Sequence, residues 1–124
     1  MKYISLGDHP QKVNLSQGIF KGLSDDGHLF MPEKIPALDR DMIGSISEMS
    51  LKEIAFAVLR PYVEEELEEE ELMQIVNETF SFPIPLVNIH DNINVLELFH
   101  GPTQAFKDVG ARFLSRLMSR LHPV

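Results

Sequence analysis

The chain has 124 residues, enough for one small domain, or for one domain and a piece of a second. Its net charge of -8 argues against a general nucleic-acid binder, because neutralising phosphates needs clustered Lys and Arg. It has no cysteine, which excludes a disulfide scaffold, a thiolate metal site and a cysteine nucleophile. The opening Met1-Lys2-Tyr3-Ile4-Ser5 is no signal peptide, and no stretch approaches the roughly 20 apolar residues of a membrane span. These features read as a cytoplasmic globular protein with neither nucleic acid nor membrane as a partner.

Residues 2–5 read as a short strand, followed by a loop over 7–10. A helix is expected from about residue 15 to 23, with Leu15, Ile19, Phe20 and Leu23 on one face and Asn14 or Ser16 as its cap. Gly18 and Gly22 inside it each cost about 1 kcal/mol relative to Ala. Asp25-Asp26-Gly27 signals a turn, and Leu29-Phe30-Met31 a short buried strand stopped by Pro32. The stretch from 32 to 47 reads as irregular.

Ser50-Leu51-Lys52-Glu53 is a capping-box pattern. It opens a helix with apolar residues at Leu51, Ile54, Ala55, Val58, Leu59 and Tyr62, which Pro61 is expected to end near Arg60. Glutamates then fill positions 64 to 71 except Leu67. They read as the solvated start of the next helix, where negative charge suits the dipole, rather than as a metal or basic-partner site. Leu72, Ile75, Val76 and Phe80 are that helix's buried face.

The Pro-containing stretch 81–85 reads as a linker. Strands over 86–89 and 93–99 flank a turn at His90-Asp91-Asn92 and form a hairpin. After a loop over 100–103, a last helix from about 105 to 121 is expected to bury Val109, Phe113, Leu114, Leu117, Met118 and Leu121. Arg112, Arg116 and Arg120 make a basic stripe on it, facing solvent or pairing with acidic residues of the same fold, with phosphate binding as the alternative.

Lys107 is the residue that stands out. It falls in or just after the first turn of this helix, where the dipole disfavours a cation. Partial burial there would favour a neutral amine, which is the nucleophile a Schiff-base lysine needs. Before it, Gly101 would allow a backbone conformation that other residues resist, Pro102 fixes one dihedral, and Thr103 is the expected N-cap. The segment is no P-loop, since it lacks the second glycine before the lysine and the Ser or Thr after it. His100 adjoins the loop and is expected to line the site. His9, His28, His90 and His122 show no metal-ligand spacing and read as structural or loop residues.

The run Leu96-Glu97-Leu98-Phe99-His100-Gly101-Pro102-Thr103-Gln104-Ala105-Phe106-Lys107-Asp108 resembles the cofactor-lysine motif of the threonine synthases, in the subgroup with an extra N-terminal domain. The opening Met1-Lys2-Tyr3-Ile4-Ser5 and the stretch from Gly22 to Pro32 resemble that family too. Position 28 is His where the family commonly has Gly, and position 104 varies in the family.

The resemblance implies a pyridoxal-phosphate-dependent carbon-oxygen lyase. Such an enzyme converts O-phosphohomoserine, its small-molecule partner, and water to threonine and phosphate. Lys107 would hold the cofactor as a Schiff base and then shuttle protons, while Phe106 and Asp108 would orient the lysine or cap its helix. The implied fold is an α+β N-terminal domain over 1–84, with 85–124 as the first hairpin and helix of an α/β domain. The complete enzyme would be tryptophan-synthase-β-like, of fold type II.

A phosphate cradle and a partner for the pyridine nitrogen are not found in the chain; in the family they follow a stretch like His122-Pro123-Val124. The chain is therefore expected to be a truncated N-terminal portion, inactive alone. Apolar surface on its last helix would invite self-association. Two alternatives remain open: a threonine-synthase-like phospholyase, or a non-catalytic interaction module.

Overall fold

Ser5 is buried and pins the first turn of the chain. Its amide donates to the Gln11 carbonyl at 2.9 Å, and its hydroxyl accepts from the Gln11 amide at 2.9 Å. The computed structural model describes residues 1–121. In it, strand β1 (Tyr3–Ser5) lies between β2 (Lys12–Val13) and β3 (Phe30–Pro32) in an antiparallel sheet. Tyr3 sits opposite both Val13 and Pro32. Pro32 is tolerated because β3 is an edge strand, where a missing N–H leaves no gap in the ladder. The two-residue β2 is too short to show an alternating pattern, which is why periodicity misses it.

Helix α1 (Leu15–Lys21) begins at Asn14, whose side chain accepts from the Gln17 amide at 2.8 Å while Gln17 reaches back to the Asn14 amide at 3.1 Å. It ends two residues earlier than expected. Gly22 is the C-cap at φ +75°, a conformation that favours glycine, so it carries no helix-interior cost. Phe20 and Leu23 are substantially exposed, whereas Leu15 is buried and Ile19 packs on the core.

The stretch read as irregular contains a short helix α2 (Arg40–Ser45) and one 3-10 turn (Ile46–Glu48). Asp39 caps α2 by accepting from the Asp41 amide at 2.7 Å. None of its residues is buried, so it has no apolar stripe to betray it.

Helix α3 (Leu51–Val63) opens with the expected capping box: the Ser50 amide donates to Glu53 at 2.7 Å, and the Glu53 amide to the Ser50 hydroxyl at 3.3 Å. Pro61 does not end it. The ring removes one donor in the last turn, its fixed φ remains helical, and Glu64 N–H still bonds the Arg60 carbonyl at 3.0 Å.

Helix α4 (Glu69–Thr79) starts from Glu68, with Glu69, Glu70 and Glu71 in its first turn at the positive end of the dipole. Most of the glutamate run is exposed, as expected of a solvated helix start. Glu66 departs from that picture, because its carboxylate is turned onto the first amides of α1.

The core joins Leu15 of α1, Ala55 and Val63 of α3, Leu67, and Leu72, Ile75 and Val76 of α4 to Leu117 of the last helix, α5 (Asp108–Arg120), and Leu121 just after it. Leu114, expected to be buried, is 46% exposed. The inward face of α5 runs through Phe113, Leu117 and Leu121 at four-residue spacing, which turns 114 outward.

The arginine stripe clamps α5 onto the end of α4. Arg112 donates to the carbonyl of Glu78 at 2.5 Å, the carbonyl of Thr79 at 3.3 Å and the Ser81 hydroxyl at 2.7 Å, and lies over the Phe82 ring. Arg116 pairs with Glu78 at 2.7 Å and Arg120 donates to Gln74 at 3.0 Å. The expected pairing with acidic residues of the same fold thus holds for Arg116, and at 3.7 Å for Arg120 with Glu71, while Arg112 bonds carbonyls and a hydroxyl instead.

A hairpin of β4 (Leu86–His90) and β5 (Ile93–Leu96) forms a second, separate sheet, with Leu86 opposite Leu96 and Val87 opposite Val95. Both strands are exposed on both faces. The second strand stops at Leu96 rather than Phe99. The Glu97 amide bonds the Pro85 carbonyl at 3.0 Å, and among the described residues no partner strand lies opposite residues 97–99. Among the described residues, no helix is long and apolar enough to cross a membrane. The expected continuation at His122-Pro123-Val124, and His122 with it, lies outside the described residues.

Candidate functional site

Between β5 and α5 the chain runs through successive turns that present Lys107. The Gln104 amide bonds the Gly101 carbonyl at 3.0 Å, and the Asp108 amide bonds the Ala105 carbonyl at 3.0 Å. Gln104 adopts φ +57°, a left-handed conformation sparsely used outside glycine. Helix α5 therefore begins at Asp108 rather than near 105, and Lys107 is its N-cap, with φ -74° and ψ -3°. This places the lysine at the positive end of the helix dipole, one step ahead of the first turn. Partial burial, the condition for a neutral amine, is not found: Lys107 is exposed, and its side-chain amine has no hydrogen-bond or ion-pair partner among the described residues.

The buried charge of the segment is Asp108, only 4% exposed. One carboxylate oxygen accepts from the Thr103 amide at 2.9 Å and the other from the Thr103 hydroxyl at 2.5 Å. Donation from that hydroxyl outweighs the loss of hydration, and the backbone amides of Thr103 and Ala105 with the charge of Arg112 add to it. Together they hold the Asp108 carboxyl below its ordinary value.

Thr103 is thus no helix cap; it is the partner of Asp108. Gly101 is needed for room rather than for an unusual φ, since a Cβ there would come within 2.8 Å of the Asp108 Cβ and still closer to its carboxylate.

His100 pairs with Glu97, Nε2 to Oε2 at 2.6 Å, and its ring lies against Phe99 with centroids 4.6 Å apart. Phe106 is 70% exposed beside the lysine, an apolar ring with little protein around it. Sequence reasoning picked out Lys107, Asp108, Phe106 and His100 but missed the roles of Thr103 and Glu97. The five-residue step from Thr103 to Asp108 resembles no helical spacing, and the sequence pattern puts Glu97 inside the strand expected over 93–99.

The protein-family description "Threonine synthase N terminus" matches residues 2–80. The chain belongs to the threonine synthase N-terminal family. Among curated relatives, threonine synthase of Escherichia coli is 32% identical over 121 residues, covering 98% of this chain and 28% of that protein. Threonine synthase of Haemophilus influenzae is 41% identical over 112 residues, covering 90% and 26%.

The crystal structure of the Escherichia coli threonine synthase superposes with a TM-score of 0.91 over 98% of this chain and 28% of that one, at 32% identity. That of the Brucella melitensis threonine synthase, which has pyridoxal phosphate bound, superposes with a TM-score of 0.90 over 98% and 27%, at 36% identity. The chain thus spans between a quarter and a third of the length of these threonine synthases, and its alignment with them extends beyond residue 80 through most of α5.

Proposed function

We propose that this chain is the N-terminal portion of a threonine synthase, with Lys107 as the lysine that attaches pyridoxal phosphate. The observation that carries the reading is an exposed amine at the start of α5, unpaired among the described residues, on a loop held by Asp108, in a chain that aligns with threonine synthases over 98% of its length. That amine fits a carbonyl cofactor, because among the described residues it has no partner to give up before it reacts.

The complete protein is then a pyridoxal-phosphate-dependent lyase that turns O-phosphohomoserine and water into threonine and phosphate, acting in the cytoplasm on a small-molecule substrate. The cofactor supplies the electron sink. Lys107 supplies the attachment point and moves protons at its Nζ. His100, held by Glu97, and the exposed Phe106 ring flank the attachment loop and would border the cofactor.

We divide the chain into an N-terminal domain over 1–84 and the first hairpin and helix of the cofactor domain from 85. The end of the family match at residue 80 and the prolines at 83 and 85 support that division.

Borohydride reduction of the natural-length gene product supplied with pyridoxal phosphate, followed by peptide mapping, tests the reading. A pyridoxyl group on Lys107 that disappears in Lys107→Ala is the expected result, with threonine and phosphate as products from O-phosphohomoserine. An unmodified Lys107 in the folded, cofactor-supplied protein would overturn it, and a keto acid product would move the reading to a phospholyase.

A further inference from the structure

We propose that Asp108, Thr103 and Gly101 form a positioning clasp that sets where Lys107 presents its amine; this rests on Lys107 being the cofactor lysine. The lysine side chain is held by nothing among the described residues, so its placement comes entirely from the backbone beneath it. That backbone has little packing to fix it. Pro102, Thr103, Gln104, Phe106 and Lys107 are all exposed, and only Gly101 and Asp108 are buried.

The Asp108 carboxylate ties the loop shut by accepting both the amide and the hydroxyl of Thr103 across five residues. It also bonds from inside the loop, because the absent Cβ of Gly101 leaves the space it occupies. The left-handed conformation of Gln104 lies within the tied segment and needs such a constraint to persist. Asp108 is only 4% exposed and both its oxygens bond Thr103, so Asp108 acts on the cofactor through Lys107 and not by touching it. It is a positioning residue, and its charge-assisted bonds are of the stronger class.

The test uses the natural-length protein supplied with pyridoxal phosphate, reduced with borohydride and mapped. It reads the yield at Lys107 against that at Lys34, an exposed lysine far away in sequence, together with the visible absorbance of bound cofactor and the thermal midpoint. In D108N and T103V the Lys107-to-Lys34 ratio is expected to fall about tenfold or more, the scale of a misplaced reacting group. In T103S, which restores the hydroxyl, the ratio should return to near the wild-type value.

Because Thr103 is exposed, T103V removes a hydroxyl without opening the core, and it decides the matter if D108N does not fold. A wild-type ratio in T103V, with the same absorbance, would overturn the clasp while leaving the cofactor lysine intact. A wild-type protein with no preference for Lys107 would instead overturn the parent reading, and the clasp with it. An equal loss of yield at both lysines would mark general destabilisation and also count against the clasp.

Discussion

The Glu66 carboxylate caps Leu15 from across the fold: Oε1 accepts from the Leu15 amide at 2.7 Å, and Oε2 from the Ser16 amide at 3.1 Å. These are the first two amides of α1, which have no acceptor within their own helix. The carboxylate therefore joins the turn between α3 and α4 to a helix some fifty residues earlier. Replacing Glu66 with Ala should cost about 1–2 kcal/mol, the range of a lost helix cap. Glu66→Gln, which keeps one acceptor oxygen, should cost less. Urea unfolding at neutral pH would rank the three proteins, and equal stabilities would mean that α1 is not capped this way in solution.

Stability should decline in strong base through Tyr3. Its hydroxyl donates to the Tyr62 carbonyl at 2.9 Å, and burial, helped by the nearby charge of Glu66, pushes its pKa up from 10.0 to about 12. The fold thus favours the neutral phenol. Its contribution is complete below about pH 10, where the unfolded phenol is also neutral, and is lost as pH rises from there through about 12. Tyr3→Phe should be about 1 kcal/mol less stable near pH 8, the usual worth of one hydrogen bond. The gap between variant and wild type should close above pH 10. Unfolding curves taken across that range would show a constant gap if the phenol does not titrate with folding.

Thr79 is fully buried, and its hydroxyl has no hydrogen-bond partner among the described residues. A buried hydroxyl left unpaired costs about 1–3 kcal/mol, and valine has nearly the same shape. Thr79→Val is therefore expected to stabilise the protein by about 1 kcal/mol, seen as a higher thermal midpoint. A lower midpoint would mean that the hydroxyl is satisfied in solution.

Leu114 and Leu117 separate the two faces of α5. Leu117, 3% exposed in the core, should cost about 2–5 kcal/mol when cut to Ala. Leu114, 46% exposed, should cost within about 0.5 kcal/mol. Paired denaturation curves test this directly, and similar losses at the two positions would place Leu114 in a buried interface.

Local chemistry was legible wherever a few neighbouring residues decide it. The Ser50–Glu53 box starts α3 because both partners lie within one turn, and Asn14 caps α1 for the same reason. The period of Leu72, Ile75 and Val76 placed the buried face of α4. Lys107 could be singled out because a cation at a helix start violates a local electrostatic rule.

The sequence alone therefore determined the helices with paired caps or apolar stripes, the hairpin, and the lysine around which a function can be proposed. Tertiary structure alone decided which of the glutamates turns inward, that the arginine stripe closes on the carbonyls of Glu78 and Thr79, and that Pro61 lies inside α3. It also decided that Asp108 reaches back to Thr103 around a glycine with no room for a side chain. The physical reason is the range of the forces. Caps and periodicity act between residues within a turn or two. A carboxylate or guanidinium, by contrast, takes whichever donor or acceptor the packing of distant segments brings within about 3 Å.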